Sequence, residues 1–374
     1  MANANTFKQL GSNDVVSTRT LLHEAIPLTG TIVSGTYSDN NVKFHSHGMF
    51  QTVFDYPYLS SSANNIFDLT VGVSPNSSLY SRVSNQQLKK RNIYNQMSQV
   101  LVGYDVTGSI MEFDEDGNIL AGGNKLREVF VMSFSRLLVK DEIKKGTFNL
   151  ELGIDPVHQI GAKTFDNRIL LTDHSGSDGF LVNSPVGEYG VLFATASNDP
   201  TSKLLKGNRR FPVGLIYYQA GIAVVTASVF TTENEGGIMN NTAFTAVSMS
   251  NGPDGTANGK NTINQMLTGS EISGACNNFR NRIYNVSFNN TTELNSSIYF
   301  CRLNNNEFNY SSNPTYLNSS KIRVKTNASD DPRAYLTGIG LYSADKQLMA
   351  VAKLSEPLEK TPSNEFTLRV RLDY

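Results

Sequence analysis

His45-Ser46-His47 is the one spacing in this chain that suits a metal ion. On a strand, residues two apart project from the same face, so both imidazoles could reach one cation. Three copies around a threefold axis would supply six nitrogens, whereas one chain supplies two. His23, His158 and His174 stand in no sequence relation to the pair. His45 and His47 are thus candidate metal ligands, set against a plainer reading as two surface histidines.

Other chemistry-bearing residues are sparser. Asp173-His174-Ser175 contains the residue types of a hydrolase triad, but three consecutive side chains cannot converge on one reacting atom, so a turn is predicted. Asp114-Glu115-Asp116-Gly117-Asn118 opens like a calcium loop. Such a loop needs Gly at its sixth position and a bidentate Glu at its twelfth; here Gly is fourth and Lys125 is twelfth, which predicts a hairpin turn. Glu112 with Asp114, and Asp330 with Asp331, are carboxylate pairs with nothing in the sequence to set their separation. No nucleophile elbow, P-loop, dinucleotide fingerprint or zincin motif occurs. Cys276 and Cys301 lack partners at zinc-like spacing and read as two inert thiols. The expectation is a protein with no catalytic residue and no cofactor.

The elements that would carry these residues are mostly strands. Twenty Phe and 16 Tyr with no Trp favour sheets, and abundant Asn, Ser, Thr and Gly supply turns. The clearest helix is about 86–102, with Ile93, Met97, Val100 and Leu101 on one stripe and Gly103 as its stop. A second, short helix is predicted inside the first 25 residues, after Ser12 or Asn13. A strand is expected from Leu28 to Tyr37. A hairpin is expected to join Ser109–Phe113 to Ile119-Leu120.

Further strands are predicted at Val129–Leu138, Thr147–Leu152, Arg168–Leu171, Gly190–Thr195, Val213–Tyr218 and Ile283–Phe288. Ile222–Phe230 is near-continuously apolar and should lie between two layers. Alternation marks Lys321–Lys325, Ala334–Leu341, Leu348–Leu354 and Glu365–Tyr374 as strands, the last needing a pairing partner. The predicted fold is mainly β: antiparallel, β-sandwich-like sheets with long loops and a few short helices. Three regions are expected: 1–152, an arm and mixed α/β region; 153–308, a β-sandwich-like domain; and 309–374, strands pairing with the other regions.

An apolar share of 39% and a charged share of 17% exclude a disordered chain. With a net charge of −1, and basic runs no longer than Lys89-Lys90-Arg91 and Arg209-Arg210, nucleic acid is not an expected partner. No secretory signal is visible, and the longest apolar stretch, Val213–Phe230, is broken by Gly214, Gln219 and Gly221, so no membrane partner is expected. Contact with other protein is expected instead. The candidates are the arm near Phe7, the ring-rich segment with Phe50, Phe54, Tyr56 and Tyr58, and the long loop from Asn240 to Asn258. A private core of the domain is the plainer reading of the rings.

Several segments carry a resemblance. Glu307–Tyr316, Tyr335-Leu-Thr-Gly-Ile-Gly-Leu-Tyr342, Leu348–Leu358 and the terminal Leu368–Leu372 resemble virion structural proteins of large contractile-tailed marine phages such as cyanophages. Leu21–Pro27, Ser46–Gln51 and Tyr56–Ala63 are similar to the same group, so both ends of the chain take part. The resemblance implies a structural subunit of the virion, in the tail or baseplate, binding copies of itself and other virion proteins after synthesis in the host cytoplasm. Alternatives are a receptor- or glycan-binding fibre module, or a head or neck protein. The group has no catalytic residues to carry over.

Overall fold

A computed structural model of the chain describes residues 7–26, 39–118, 122–134, 138, 142–155, 165–196, 205, 210–240, 262–269, 271–311, 317–318, 321–322, 329 and 332–374. It is mainly β, with 45% strand against 18% helix in large antiparallel sheets, as the alternation predicted. In chain order the strands are β1 (Val15–Ile26), β2 (Val42–Phe44), β3 (Gln51–Phe54), β4 (Asn65–Val73), β5 (Phe113–Asp114), β6 (Lys125–Leu126) and β7 (Glu128–Ser133). There follow β8 (Glu142–Ile143), β9 (Asn149–Gly153), β10 (Arg168–Thr172), β11 (Leu181–Ser184), β12 (Gly187–Ala196), β13 (Phe211–Tyr217) and β14 (Ile222–Thr226). The last are β15 (Ile283–Leu303), β16 (Leu317–Asn318), β17 (Lys321–Ile322), β18 (Ala334–Tyr342), β19 (Leu348–Lys360) and β20 (Phe366–Asp373). The helices are α1 (Asn85–Leu101), α2 (Gly176–Gly179), α3 (Ile263–Gly269) and α4 (Ile272–Arg282).

The chain forms two compact units, residues 23–292 and residues 1–22 with 293–374, here the central and terminal units. The expected boundary at 152 falls elsewhere for a physical reason. Leu152 lies inside β9, which is hydrogen-bonded to β10 on one side and β15 on the other. The expected boundary at 308 likewise falls within the terminal unit rather than at its edge.

In the central unit the strand order is β15-β9-β10-β12-β13-β14-β7-β4-β3-β2. Both faces of its middle strands, β13, β14, β7 and β4, are buried. Leu69, Val71, Phe130, Met132, Ala223 and Val225 share one apolar cluster with Met266 of α3 and Ala275, Cys276 and Phe279 of α4. Val129, Val131, Tyr217 and Val224 share another with Tyr94 and Leu101 of α1, Phe113 of β5 and Leu126 of β6. Successive residues of β14 thus point into different clusters, which accounts for its unbroken apolar run. The run does not continue as a strand, because Ala227–Phe230 coils into a 3-10 turn.

α1 sits where predicted, with the Ser84 hydroxyl accepting from the Gln87 N–H at 3.2 Å and Gly103 in the left-handed region at φ 99°. A Cβ on Gly72 would lie 3.0 Å from the Tyr94 Cα, so only glycine lets β4 approach α1 this closely. The buried face differs from the predicted stripe: Val100 is exposed, while Gln87, Lys90, Tyr94 and Ser98 are buried with Ile93 and Leu101.

Two further expectations are corrected. Residues 15–26 are a strand rather than a helix, since Val15, Val16, Thr18 and Thr20 are β-branched and only Ser12–Asp14 make a 3-10 turn. β5 pairs with β6 across a longer turn, and Ile119-Leu120 lie outside the described residues. The Leu28–Tyr37 segment also lies outside them. α4 was not anticipated.

In the terminal unit β15 pairs antiparallel with β20, setting Tyr299 opposite Val370 and Cys301 opposite Leu368. The last predicted strand thus has its partner. β18 and β19 make a separate two-stranded sheet. Among the described residues of this unit only two hydrophobic side chains, Ala334 and Val370, are buried.

Candidate interaction surfaces

Several of the sequence's chemical candidates are engaged in holding the fold, while Asp330 and Asp331 lie outside the described residues. His45 and His47 do project side by side, from the turn after β2, with rings stacked at 5.3 Å and both resting on Phe50. The His47 Nδ1 accepts the Met49 N–H at 3.0 Å, and the His45 Nε2 lies 3.0 Å from the Thr52 hydroxyl. That hydroxyl donates to Asp68 at 2.6 Å, so the His45 nitrogen is the donor to Thr52. No group of three or more His, Cys, Asp or Glu able to hold a metal occurs among the described residues. Residue 173 begins the predicted turn. Asp173 is buried and accepts from the Gly146 N–H at 2.6 Å, the Phe148 N–H at 3.0 Å and the Tyr218 hydroxyl at 3.1 Å. Burial pushes its carboxyl up to about 6 against those hydrogen bonds, while His174 is exposed.

In the Asp114 turn, the Lys125 ammonium pairs with the Asp114 carboxylate, a cation of the chain itself standing at the calcium loop's twelfth place. The Lys89–Arg91 run, read as a solvated or rim face, is split. Lys89 donates to the His47 carbonyl at 3.1 Å, but Lys90 is buried and donates to the Leu267 carbonyl at 2.6 Å. Gln87 donates to the Leu267 and Thr268 carbonyls, both at 2.9 Å. Together they satisfy acceptors that the last turn of α3 leaves open. The cysteines are free thiols, and burial raises the proton affinity of both.

The predicted contact rings divide. Phe50 is taken up by the two histidines, and Phe54 lies half-buried with its ring 6.4 Å from that of Tyr58. Tyr56, Tyr58 and Leu59 stand exposed, Leu59 at 85%. Their loop is pinned from below: Asp55 accepts from the Tyr56 N–H at 2.8 Å, the Asn64 N–H at 2.6 Å and the Asn64 amide at 2.9 Å. Asn240 is half-buried, and Asn258 lies outside the described residues.

A sizeable apolar cleft lies in the terminal unit among the described residues and was not singled out as a site from sequence. A cleft of about 900 Å³ separates the β15–β20 layer, with Tyr299, Leu368 and Leu372, from the β18 strand, with Leu336, Ile339 and Leu341. The Phe7 arm edges it. Phe7 packs edge-on against Tyr342 at 4.9 Å, and Lys8 pairs with Glu307 at 2.5 Å. The other face of the hairpin exposes Tyr335, Leu348 and Val351, while Tyr342 and Met349, the latter 70% exposed, stand at the cleft itself. The signal that could have found this surface is the run 335–351, whose apolar residues occupy both faces of strands too short of neighbours to bury them.

No protein-family model, no curated protein and no solved structure matches this chain. Among the described residues no helix is long and apolar enough to cross a membrane.

Proposed function

We propose that the chain is a structural subunit of a tailed-phage virion, in the tail or baseplate, that acts by binding copies of itself and other virion proteins. The observation that carries this reading is the terminal unit's missing core. Its inward apolar residues stay half-buried around an open cleft, and its hairpin turns apolar side chains outward, whereas the middle strands of the central unit are closed on both faces. Burying such side chains is worth roughly 25 cal/mol per Å², which a neighbouring subunit would supply. The resemblance of 335–342, 348–358 and 368–372 to phage virion proteins points to the same surface. In this reading Asp173 has a structural part, accepting from two backbone amides and Tyr218.

The test is mass spectrometry of purified phage particles, followed by locating the chain in a cryo-EM map. A chain present at fixed copy number, with residues 335–351 covered by a neighbour, is the expected result; a chain absent from particles overturns the proposal. A second reading, a glycan-binding module, is favoured by Tyr56 and Tyr58 on the loop held by Asp55, because exposed rings stack on sugars. Hits on a glycan array that disappear in Tyr56→Ala and Tyr58→Ala would select it.

A further inference from the structure

We propose that β18 is a self-pairing edge, joined antiparallel to β18 of a second copy across a twofold axis. This rests on the reading of the chain as a self-associating subunit and names the surface that does the associating. Exposed strand edges are templates for pairing, and proteins block them with charge, proline or shortness. The described strands of this chain follow that rule almost everywhere. β2 has three residues, β20 alternates Arg369, Arg371 and Asp373, and β19 carries Lys353, Glu356, Pro357 and Glu359. β18 is the exception. Its nine residues, Ala-Tyr-Leu-Thr-Gly-Ile-Gly-Leu-Tyr, hold neither charge nor proline, and β19 is its one partner among the described strands.

The same strand is in energetic need of a neighbour. A two-stranded ribbon is at best marginal in water, and three or more strands with an apolar face are required. Joining two copies edge to edge makes the order β19-β18-β18-β19, with four strands and continuous faces. Residues Gly338 to Tyr342 of this strand line the cleft.

The geometry restricts the register. Backbone donors and acceptors alternate along a strand, so the twofold axis must pass through a residue and not between two. Centred on Ile339, Leu336 faces Tyr342, Thr337 faces Leu341 and Gly338 faces Gly340. Centred on Gly338, Tyr335 faces Leu341, Leu336 faces Gly340 and Thr337 faces Ile339. Every pair in both registers is uncharged, so self-pairing meets no like-charge repulsion. An isologous twofold contact is also the commonest way for identical chains to associate.

The experiment uses the full chain with Cys301→Ser, which leaves buried Cys276 as the remaining thiol. Oligomeric state is followed by light scattering over a range of concentrations. Single cysteines are then placed in turn at 336–342 on β18 and at Ala350 on β19, and oxidised. Residues directly opposite lie about 4.5–5.5 Å apart, within the reach of a disulfide. Each step away from the axis separates the two copies of a residue by about 7 Å more, two residues' rise, so the disulfide dimer should peak sharply. The expected result is a concentration-dependent dimer and a peak at 338 or 339, with none at 350. An oligomer with no peak on β18 overturns this inference and leaves the virion proposal standing. A chain that stays monomeric at every concentration also overturns it, and the particle measurement then decides the virion proposal separately.

Discussion

Asp173 gives the central unit a pH dependence that can be read directly. Its carboxyl is pushed from the ordinary 3.8 up to about 6, because burial disfavours the anion more than the Gly146, Tyr218 and Phe148 hydrogen bonds favour it. The native state therefore binds a proton more tightly than the unfolded chain does. Between about pH 4 and pH 6 the native state carries the extra proton, so stability falls as pH rises through that window and is level above it. Two pH units at 1.36 kcal/mol each make the loss about 3 kcal/mol.

Asp173→Asn removes the proton while keeping the shape. Its amide nitrogen must face an N–H or O–H that now lacks an acceptor, a pH-independent cost of about 1–3 kcal/mol. Urea unfolding of wild type and variant from pH 4 to pH 8 is the assay, followed by far-UV circular dichroism because the chain has no Trp. All other carboxylates cancel in the difference between the two proteins. The wild-type advantage should shrink, then reverse or vanish, as pH passes from 4 to above 6. A difference constant within about 0.5 kcal/mol over the whole range would refute the assignment of a raised proton affinity to this carboxyl.

Other perturbations probe other parts of the fold. Gly72→Ala presses a methyl group on the Tyr94 backbone 3.0 Å away and should cost about 1–3 kcal/mol in thermal or urea unfolding, because β4 and α1 must separate. Burial lowers the Lys90 ammonium to about 8, so the native state sheds a proton that the unfolded chain keeps until about 10.5. Wild type should accordingly gain about 3 kcal/mol relative to Lys90→Met as pH rises between those values, measured by urea unfolding. Ser84→Ala removes the α1 cap and should lower stability by about 1 kcal/mol in the same assay. Met349→Lys and Val351→Lys replace exposed side chains, so each should shift stability by less than about 0.5 kcal/mol yet reduce incorporation into particles, scored by mass spectrometry.

The sequence by itself determined the local features whose cause is local. Alternating apolar residues marked β18, β19 and β20, the periodic stretch before Gly103 marked α1, and Asp173 to Ser175 read as a turn because neighbours in sequence cannot converge. Where local preference was weak or divided, tertiary structure decided. Ile272–Arg282 holds Gly274, Asn277, Asn278 and Asn281, poor helix formers, and is helical with Ala275, Cys276 and Phe279 buried beneath the sheet. The short helix expected after Ser12 or Asn13 gave way to β1, which pairs beside β15. A charged run gave no hint that Lys90 would be buried, because its partner, the Leu267 carbonyl, lies 177 positions away. The same holds for the proposed contact surface. Apolar residues at 335–351 were visible, but whether a neighbouring strand covers them depends on long-range pairing, which no local pattern encodes.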